Sequence, residues 1–373
     1  MKVIIDSDIP FIKGVIETYC EVVYKKGEEI TSCDVKDADA LIIRTRTKCT
    51  RSLLDGSNVR FIASATIGSD HVDLDYCREH GIFFTNAAGC NAWGVVQYVV
   101  TAIFTMAHLQ NISLKGKRIG VVGAGNVGER VARTLELLGF DVMRCDPPVR
   151  ERLLTGYIPD NGRFAIDRSN LSPEDFHDLA HLLENSDVVS LHLPLDGSTR
   201  GMFDAKCFGM MKKGAIFINA SRGEVLDENA LLAAYGSLSS VILDVWAGEP
   251  KINRDLQKIV GIGTPHIAGY SLEGKINATV MSVNSFGKFF GIEPLSNFSI
   301  EYPPRKQYNA FSTEVVNKQD WVFKVMYESF PIFDTDICLR KNPESFEKLR
   351  SSYNYRREVT QDMYEFISKK YID

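Results

Sequence analysis

The sequence predicts an α/β protein made of two successive parallel-sheet units and a tail of different character. Three observations carry that prediction. Short apolar runs alternate with helix-like or turn-rich segments from residue 3 to about residue 245, the rhythm of strands joined by crossover helices. A glycine-rich turn, Gly123-Ala124-Gly125-Asn126-Val127-Gly128, joins one of those runs to a helical repeat. Two long segments with apolar faces, 91–110 and 272–290, flank the second unit, and the later one is placed to carry the chain back to the first.

In the first unit, strands are predicted at 3–6, 40–44, 60–65 and 82–85. The helix over 91–110 follows, with Val95, Val99, Ala102, Ile103 and Met106 on its apolar side. Strands at 117–122, 141–145, 187–193, 215–220 and 241–245 make the second unit, and Gly263-Thr264-Pro265-His266 comes after them. The stretch from about 147 to 170, rich in charge and turn residues, reads as a surface excursion. Beyond Ile292 come Tyr302-Pro303-Pro304, an aromatic helix over 321–330, and Asn342-Pro343 as cap and first residue of a helix reaching about Tyr355. So short a segment has little core of its own. Its aromatics are therefore expected to pack on a second copy, giving a two-fold homodimer; packing of the tail back on its own chain is the alternative.

Composition bounds the function. At 373 residues, with 45% hydrophobic and 24% charged, the chain suits two or three ordinary globular domains. A formal net charge of −5 gives no electrostatic reason to expect nucleic acid. No run approaches the ~18 uninterrupted apolar residues of a membrane span, and Met1-Lys2-Val3-Ile4-Ile5-Asp6 enters a strand pattern without signal-peptide features. The eight cysteines are scattered, with no C-x-x-C pair and no Cys/His group at ligand spacing. Reduced thiols, a cytoplasmic location and no metal are expected; Cys90 and Cys145 read as small buried fillers.

The glycine turn carries the first chemistry. Gly123 permits the tight turn, Gly125 lets backbone N–H groups approach a pyrophosphate, and Gly128 lets the helix lie close to the sheet. Asn126 and Val127 belong to the same anion-facing turn. Asp146 ends the next strand, 18 residues beyond Gly128, near the spacing of a ribose-binding carboxylate that favours NAD over NADP. A helix-capping role before Pro147-Pro148 is the alternative.

Three polar landmarks each follow a strand-like run: Ala220-Ser221-Arg222-Gly223, Asp244 to Glu249-Pro250, and Pro265-His266-Ile267-Ala268-Gly269. Carboxyl ends of strands border the ligand crevice of an open parallel sheet, so the three should converge. An arginine, a carboxylate and an imidazole there suit hydride transfer from a 2-hydroxy acid. The guanidinium would hold the substrate carboxylate, the imidazole would take the hydroxyl proton, and the carboxylate would orient the imidazole. Surface ion pairing for Arg222, a helix-start role for Glu249 and a core role for His266 are the alternatives. Asp244 would serve the nicotinamide side of the cofactor or local structure.

Taken together, these segments resemble the D-isomer-specific 2-hydroxyacid dehydrogenases over residues 1 to about 290. The resemblance implies a catalytic set of Arg222, Glu249 and His266. It also implies a discontinuous flavodoxin-like substrate domain (1–92 and 267–291), a central Rossmann NAD-binding domain (93–266), and an active site in the cleft between them. A closer likeness to one branch rests on Ile43-Arg44-Thr45-Arg46-Thr47-Lys48, Ala63-Ser64-Ala65-Thr66-Ile67-Gly68, Cys145-Asp146-Pro147-Pro148, His266-Ile267-Ala268-Gly269-Tyr270 and Phe346-Glu347-Lys348-Leu349-Arg350, continuing to Tyr353 and Arg356-Arg357-Glu358. That branch oxidises a small phosphorylated 2-hydroxy acid at C2 and carries a small α+β C-terminal dimerisation domain, here 292–373. It implies cofactor contacts at Asp146, Ala220, Ser221, Arg222, Asp244 and Gly269, and substrate contacts at Thr45, Thr66 and Tyr270.

Two positions depart from its pattern: Ala88 stands where proline is common and Gln97 where glutamate is common, which leaves the loop beside the substrate open. Arg44, Arg46 and Lys48 form a cationic cluster suited to a substrate phosphate. Strand alternation would send Arg44 and Arg46 to one face and Thr45 and Thr47 to the other. Dehydrogenation of another acid, such as a phosphoglycerate or glycerate, and an NAD-sensing interaction protein on the same fold are the competing functions.

Overall fold

A computed structural model describes residues 1–156, 166–305 and 317–372. The chain divides into two compact units, Met1–Asn91 with Leu272–Pro304, and Ala92–Ser271 with Arg305–Asp373.

The first unit holds β1 (Lys2–Asp6), β2 (Glu21–Lys25), β3 (Ala40–Ile43), β4 (Phe61–Ser64) and β5 (Phe83–Asn86). They form one parallel sheet in the order β2-β1-β3-β4-β5, the flavodoxin-like order. Every residue of β3 and β4 is buried, as expected of strands covered on both faces. The sequence reading missed β2. It is an edge strand with charged ends and half-buried apolar residues, so it carries neither a continuous apolar run nor a clean alternation. The helix Leu272–Phe290 returns to this unit, where Ala278, Val283 and Phe286 join the core of Val3, Ile5, Ile42 and Phe61.

The second unit holds β6 (Arg118–Val122), β7 (Asp141–Cys145), β8 (Val188–Leu191), β9 (Ile216–Asn219), β10 (Ser240–Leu243) and β11 (Ile262–Gly263). They too are parallel, in the order β11-β10-β9-β8-β6-β7. Outside β7, Phe176 makes a single parallel bridge to Arg144, and the His177 N–H donates to the Arg144 carbonyl at 2.8 Å. Counted as a residual strand, that bridge restores the doubly wound order of a dinucleotide-binding sheet, with the switch point between β6 and β8. Of the excursion expected over 147–170, residues 157–165 lie outside the described residues. The part before them is a helix, Pro147–Thr155.

The helix Ala92–Leu109 is long and apolar enough to span a membrane, yet fifteen of its eighteen residues are buried in the protein. Being apolar nearly all round, it packs on two sides at once. On one lie Ile119, Val121 and Val131; on the other lie Trp321, Val322, Val325, Met326, Phe330, Tyr364 and Ile367 of the tail. The expectation that the tail aromatics need a second copy for burial is therefore corrected. The tail contributes the helices Lys318–Ser329, Ile332–Lys341, Phe346–Ser351 and Gln361–Ile372. The helix expected to reach about Tyr355 stops at Ser351, after a 3-10 turn over Pro343–Ser345. Residues 306–316 lie outside the described residues; the described tail has no strand, only a single bridge from Arg356 to Ser271.

Candidate active site

The three glycines of the turn after β6 answer to different demands. Gly123 has φ +88°, and a Cβ there would lie 2.6 Å from the His192 carbonyl oxygen. A Cβ on Gly128, which opens the helix Gly128–Leu137, would lie 1.8 Å from the Gly123 carbonyl oxygen. The fold itself requires these two. A Cβ on Gly125 meets nothing within 4 Å, so the fold itself would admit a side chain there. Asn126 Oδ1 and His192 Nδ1 are buried beside the turn without a hydrogen-bond partner, while His192 Nε2 lies 3.0 Å from Ser190 Oγ. Burial holds the His192 pKa down to about 3, so the ring is neutral. A pyrophosphate-bearing dinucleotide fits this cradle: open space, backbone amides at a helix N-terminus and unused polar atoms. Sequence reasoning missed His192, although its place directly after β8 at the same sheet edge was a usable signal.

That contrast makes a clean prediction. Gly125→Ala should keep the wild-type melting temperature but weaken NADH binding at least tenfold, because the added methyl fills space only a ligand needs. Calorimetry and NADH fluorescence titration check it; unchanged affinity would refute the cradle.

Asp146 is the cap of the helix Pro147–Thr155, accepting from the Val149 N–H at 2.9 Å, and its other oxygen accepts from the Ala124 N–H at 2.7 Å. The capping alternative is thus realised, and the same contacts tie the carboxylate to the glycine turn. Val127 and Ala220 pack on the core around Ala92–Leu109. The buried Ser221 donates its N–H and hydroxyl to Asn219 Oδ1 at 3.0 and 2.8 Å.

The three landmarks stand at the carboxyl ends of neighbouring strands β9, β10 and β11. After β9, Asn219 Nδ2 donates to the Arg222 carbonyl at 2.9 Å, and Arg222 Nη1 donates to the Ser221 carbonyl at 2.8 Å. Gly223 lies so close to the loop after β10 that a Cβ would come within 1.9 Å of the Trp246 carbonyl carbon. The Arg222 turn and the Glu249 loop are therefore packed backbone to backbone.

Asp244 is buried and fully engaged. Its Oδ1 accepts from the Thr264 hydroxyl and the Ile267 N–H, both at 2.7 Å, and Oδ2 accepts from the Ala268 N–H at 2.8 Å. Burial pushes its pKa up, against the lowering effects of His266 and these donors. The carboxylate thus fixes the turn that carries His266, whose φ of 57° lies in the left-handed region, uncommon for a side chain of this kind and sustained only where the surroundings over-determine it. His266 Nδ1 lies 2.8 Å from Glu249 Oε2, and Glu249 Oε1 accepts from the Trp246 N–H at 3.0 Å. Burial alone would raise the Glu249 pKa; the charge and hydrogen bond of His266, with Arg350 and the Trp246 N–H, outweigh it and hold the pKa below the ordinary range. With Nδ1–H given to a carboxylate, the neutral ring presents Nε2 as its acceptor. After Gly269, Tyr270 lies edge-on to Tyr353 and Tyr355, with the Arg350 guanidinium 5.7 Å from its ring centre.

In the first unit, Thr66 Oγ1 lies 2.8 Å from Ser64 Oγ, which lies 3.1 Å from His71 Nε2. The alternation expected through Arg44 to Lys48 does not apply, because β3 ends at Ile43 and a turn follows. Arg46 and Lys48 are exposed, Thr47 is buried, and Arg44 and Thr45 are half-buried, Arg44 donating to the Asp8 carbonyl at 3.1 Å. Gln97 is buried in the second unit, bonded to Ser329 Oγ at 3.0 Å and Arg356 Nε at 3.2 Å.

A dinucleotide cradle and a carboxylate-held imidazole on one doubly wound sheet define the class: an NAD-dependent oxidoreductase of 2-hydroxy acids. Residues 95–268 match the family described as D-isomer specific 2-hydroxyacid dehydrogenase, NAD binding domain. Erythronate-4-phosphate dehydrogenase of Bacteroides fragilis is 43% identical over 365 residues, covering 96% of this chain and 97% of that protein. The Escherichia coli protein of the same name is 37% identical over 368 residues, covering 96% and 92%. The fold matches that of D-lactate dehydrogenase from Aquifex aeolicus, solved with NAD and lactic acid, with a TM-score of 0.62 at 24% identity over 81% of this chain and 100% of that one. The chain belongs to the erythronate-4-phosphate dehydrogenases, within the D-isomer specific 2-hydroxyacid dehydrogenase family.

Proposed function

We propose that the protein oxidises 4-phospho-D-erythronate at C2, giving 2-oxo-3-hydroxy-4-phosphobutanoate and NADH, as a step of pyridoxal 5′-phosphate biosynthesis. The observation that carries the chemistry is the His266–Glu249 pair at 2.8 Å on a turn locked by Asp244; the relatives' printed name supports the substrate. His266 Nε2 accepts the C2 hydroxyl proton as the C2–H bond breaks, and Glu249 stabilises the imidazolium that forms. The Arg222 guanidinium holds the substrate carboxylate by a planar pair of hydrogen bonds. NAD, when bound, supplies the hydride acceptor. Gly123, Gly125, Asn126, Val127 and Gly128 hold its pyrophosphate, Asp146 its ribose, and the Ala220-Ser221-Arg222 turn, Asp244 and Gly269 its nicotinamide side. Thr45 and Thr66 on the first unit, and Tyr270 on the second, serve as substrate contacts, with the phosphate drawing on the Arg44, Arg46 and Lys48 cluster.

Following NADH with 4-phosphoerythronate, unphosphorylated erythronate and 3-phosphoglycerate tests the substrate. The expected order of kcat/KM puts 4-phosphoerythronate first, at least tenfold above unphosphorylated erythronate, since a paired charged group contributes more than about 1.4 kcal/mol. A higher value for 3-phosphoglycerate would overturn it, and no turnover with any of them would favour an NAD sensor.

We also propose a cytoplasmic homodimer that pairs through the tail. All eight cysteines are free thiols, and Ile337, Phe366 and Ile372 on the tail helices are 40%, 43% and 57% exposed, apolar side chains that a partner copy can cover. Light scattering should give twice the chain mass, and Ile337→Lys with Phe366→Lys should return the monomer. A monomeric wild type, or an unaltered dimer in the double variant, would refute tail pairing.

A further inference from the structure

The tail segment at residues 356–358 grips the turn that carries His266. Arg356 is buried, and its guanidinium donates Nη1 to the carbonyls of Ile267 and Tyr270 at 3.0 and 3.3 Å. It donates Nη2 to the carbonyls of Gly94, at 2.9 Å, and Ala268. Nε goes to Gln97 Oε1 at 3.2 Å, and the guanidinium carbon sits 4.2 Å from the centre of the Phe330 ring. Two residues on, Glu358 Oε1 accepts from the Ser271 hydroxyl at 2.6 Å and the Gly94 N–H at 3.1 Å, and its carbonyl accepts from Arg305. Gly94, Ser271 and Arg305 lie at, or within two residues of, boundaries of the second unit.

A buried guanidinium is tolerated only when its donors are satisfied, and here the satisfying atoms are backbone oxygens that no strand ladder serves. The consequence is a two-sided hold. Asp244 takes the N–H groups of Ile267 and Ala268, and Arg356 takes the carbonyls of the same two residues. Of the three peptide planes that follow His266, Asp244 holds the first, both groups hold the second, and Arg356 holds the third, so the turn is fixed one plane further than the carboxylate alone reaches. Neutral Gln97 engages only Nε, leaving Nη2 to the turn and Gly94, and Nη1 to the turn and, at 3.5 Å, the Tyr353 hydroxyl.

We propose that Arg356, backed by Glu358, is a positioning residue for proton transfer at His266, so that the tail acts on the reaction within its own chain. This rests on the reading of His266 as proton acceptor. Arg356→Lys keeps the charge but cannot span the same carbonyls. It should lower kcat by about tenfold to a hundredfold, the effect of an ångström-scale misplacement, with NADH affinity and binding stoichiometry as in wild type. The deuterium isotope effect with C2-deuterated substrate should rise, because the chemical step becomes more nearly rate-limiting; loss of folded protein alone would not change it. In a His266→Ala background, Arg356→Lys should cause no further loss. Should Arg356→Lys fail to bind NADH stoichiometrically, Ser271→Ala decides, with an expected fall in kcat of about fivefold for one lost hydrogen bond and the same rise in isotope effect. Unchanged kcat and isotope effect in the folded variant, or independent losses in the double variant, would overturn the proposal. Wild-type turnover in His266→Ala would instead overturn the reading on which it rests.

Discussion

His266→Ala will lower kcat by about 10²- to 10⁴-fold while leaving NADH affinity intact, the loss expected for a deleted general base. The imidazole is bound to the rest of the site through Nδ1, 2.8 Å from Glu249, and Nε2 is the nitrogen left to accept a proton. The glycine turn stands on a different strand, β6, and its shape depends on Gly123, Gly128 and His192 rather than on His266. Binding and turnover should therefore separate. Because φ is 57° at this position, alanine brings some backbone strain, and His266→Asn serves as a control whose side chain tolerates the left-handed region. Equal losses of kcat in the two variants, with wild-type NADH titrations, would confirm a lost base; turnover near the wild-type rate in either would refute it.

Glu249→Gln is expected to cost about 10²-fold or more in kcat, for a reason of valence. The carboxylate accepts from two donors, the Trp246 N–H at Oε1 and the His266 Nδ1–H at Oε2. A glutamine has one acceptor oxygen and one amide nitrogen that only donates. It cannot serve both, and facing its amide group the ring takes the tautomer with the proton on Nε2, where no base is left. The wild-type pair also has a pH signature. Since the folded pKa of Glu249 is lowered, its contribution to stability is fully present above the ordinary glutamate value of about 4.3 and is lost as pH falls through the lower folded value. The melting-temperature gap between wild type and Glu249→Gln should therefore be wide at neutral pH and close under acid. A gap independent of pH would show that Glu249 is not ionically paired in the fold.

Much of the architecture was legible because it is local. The glycine turn, the strand rhythm and the helix Leu272–Phe290 follow from periodicity and from glycine's conformational freedom. The pairing of Glu249 with His266 was legible too, because both follow strands of one parallel sheet and such ends meet at one edge. What escaped were matters of partnership. The edge strand β2 has too little buried surface to leave a pattern, and Phe176 makes its bridge through a single residue. The tail's apolar surface was evident in its sequence, but its partner was not. Part of it is covered by a helix buried on both sides, Ala92–Leu109, while Leu339 and Phe346 join the core of Leu256 and Val260; five apolar residues on one side of the 91–110 segment gave no hint of a second. Arg356 and Glu358 were visible as charges, and nothing local distinguishes a buried clamp from a solvated pair.

The way Tyr364 and Ile367 complete the core built on Tyr98, Val99 and Phe104 also constrains the order of events during synthesis. A ribosome delivers the chain from its N-terminal side, and domains generally fold as their segments emerge. The first unit waits for Leu272–Phe290, while the second waits for Lys318–Ser329 and Gln361–Ile372. Until Lys318–Ser329 has been made, the flank of Ala92–Leu109 that it covers stands bare, and until Arg356 has been made the His266 turn lacks its grip. The turn of His266 thus reaches its full set of hydrogen bonds only after a segment far beyond it in the sequence has been made.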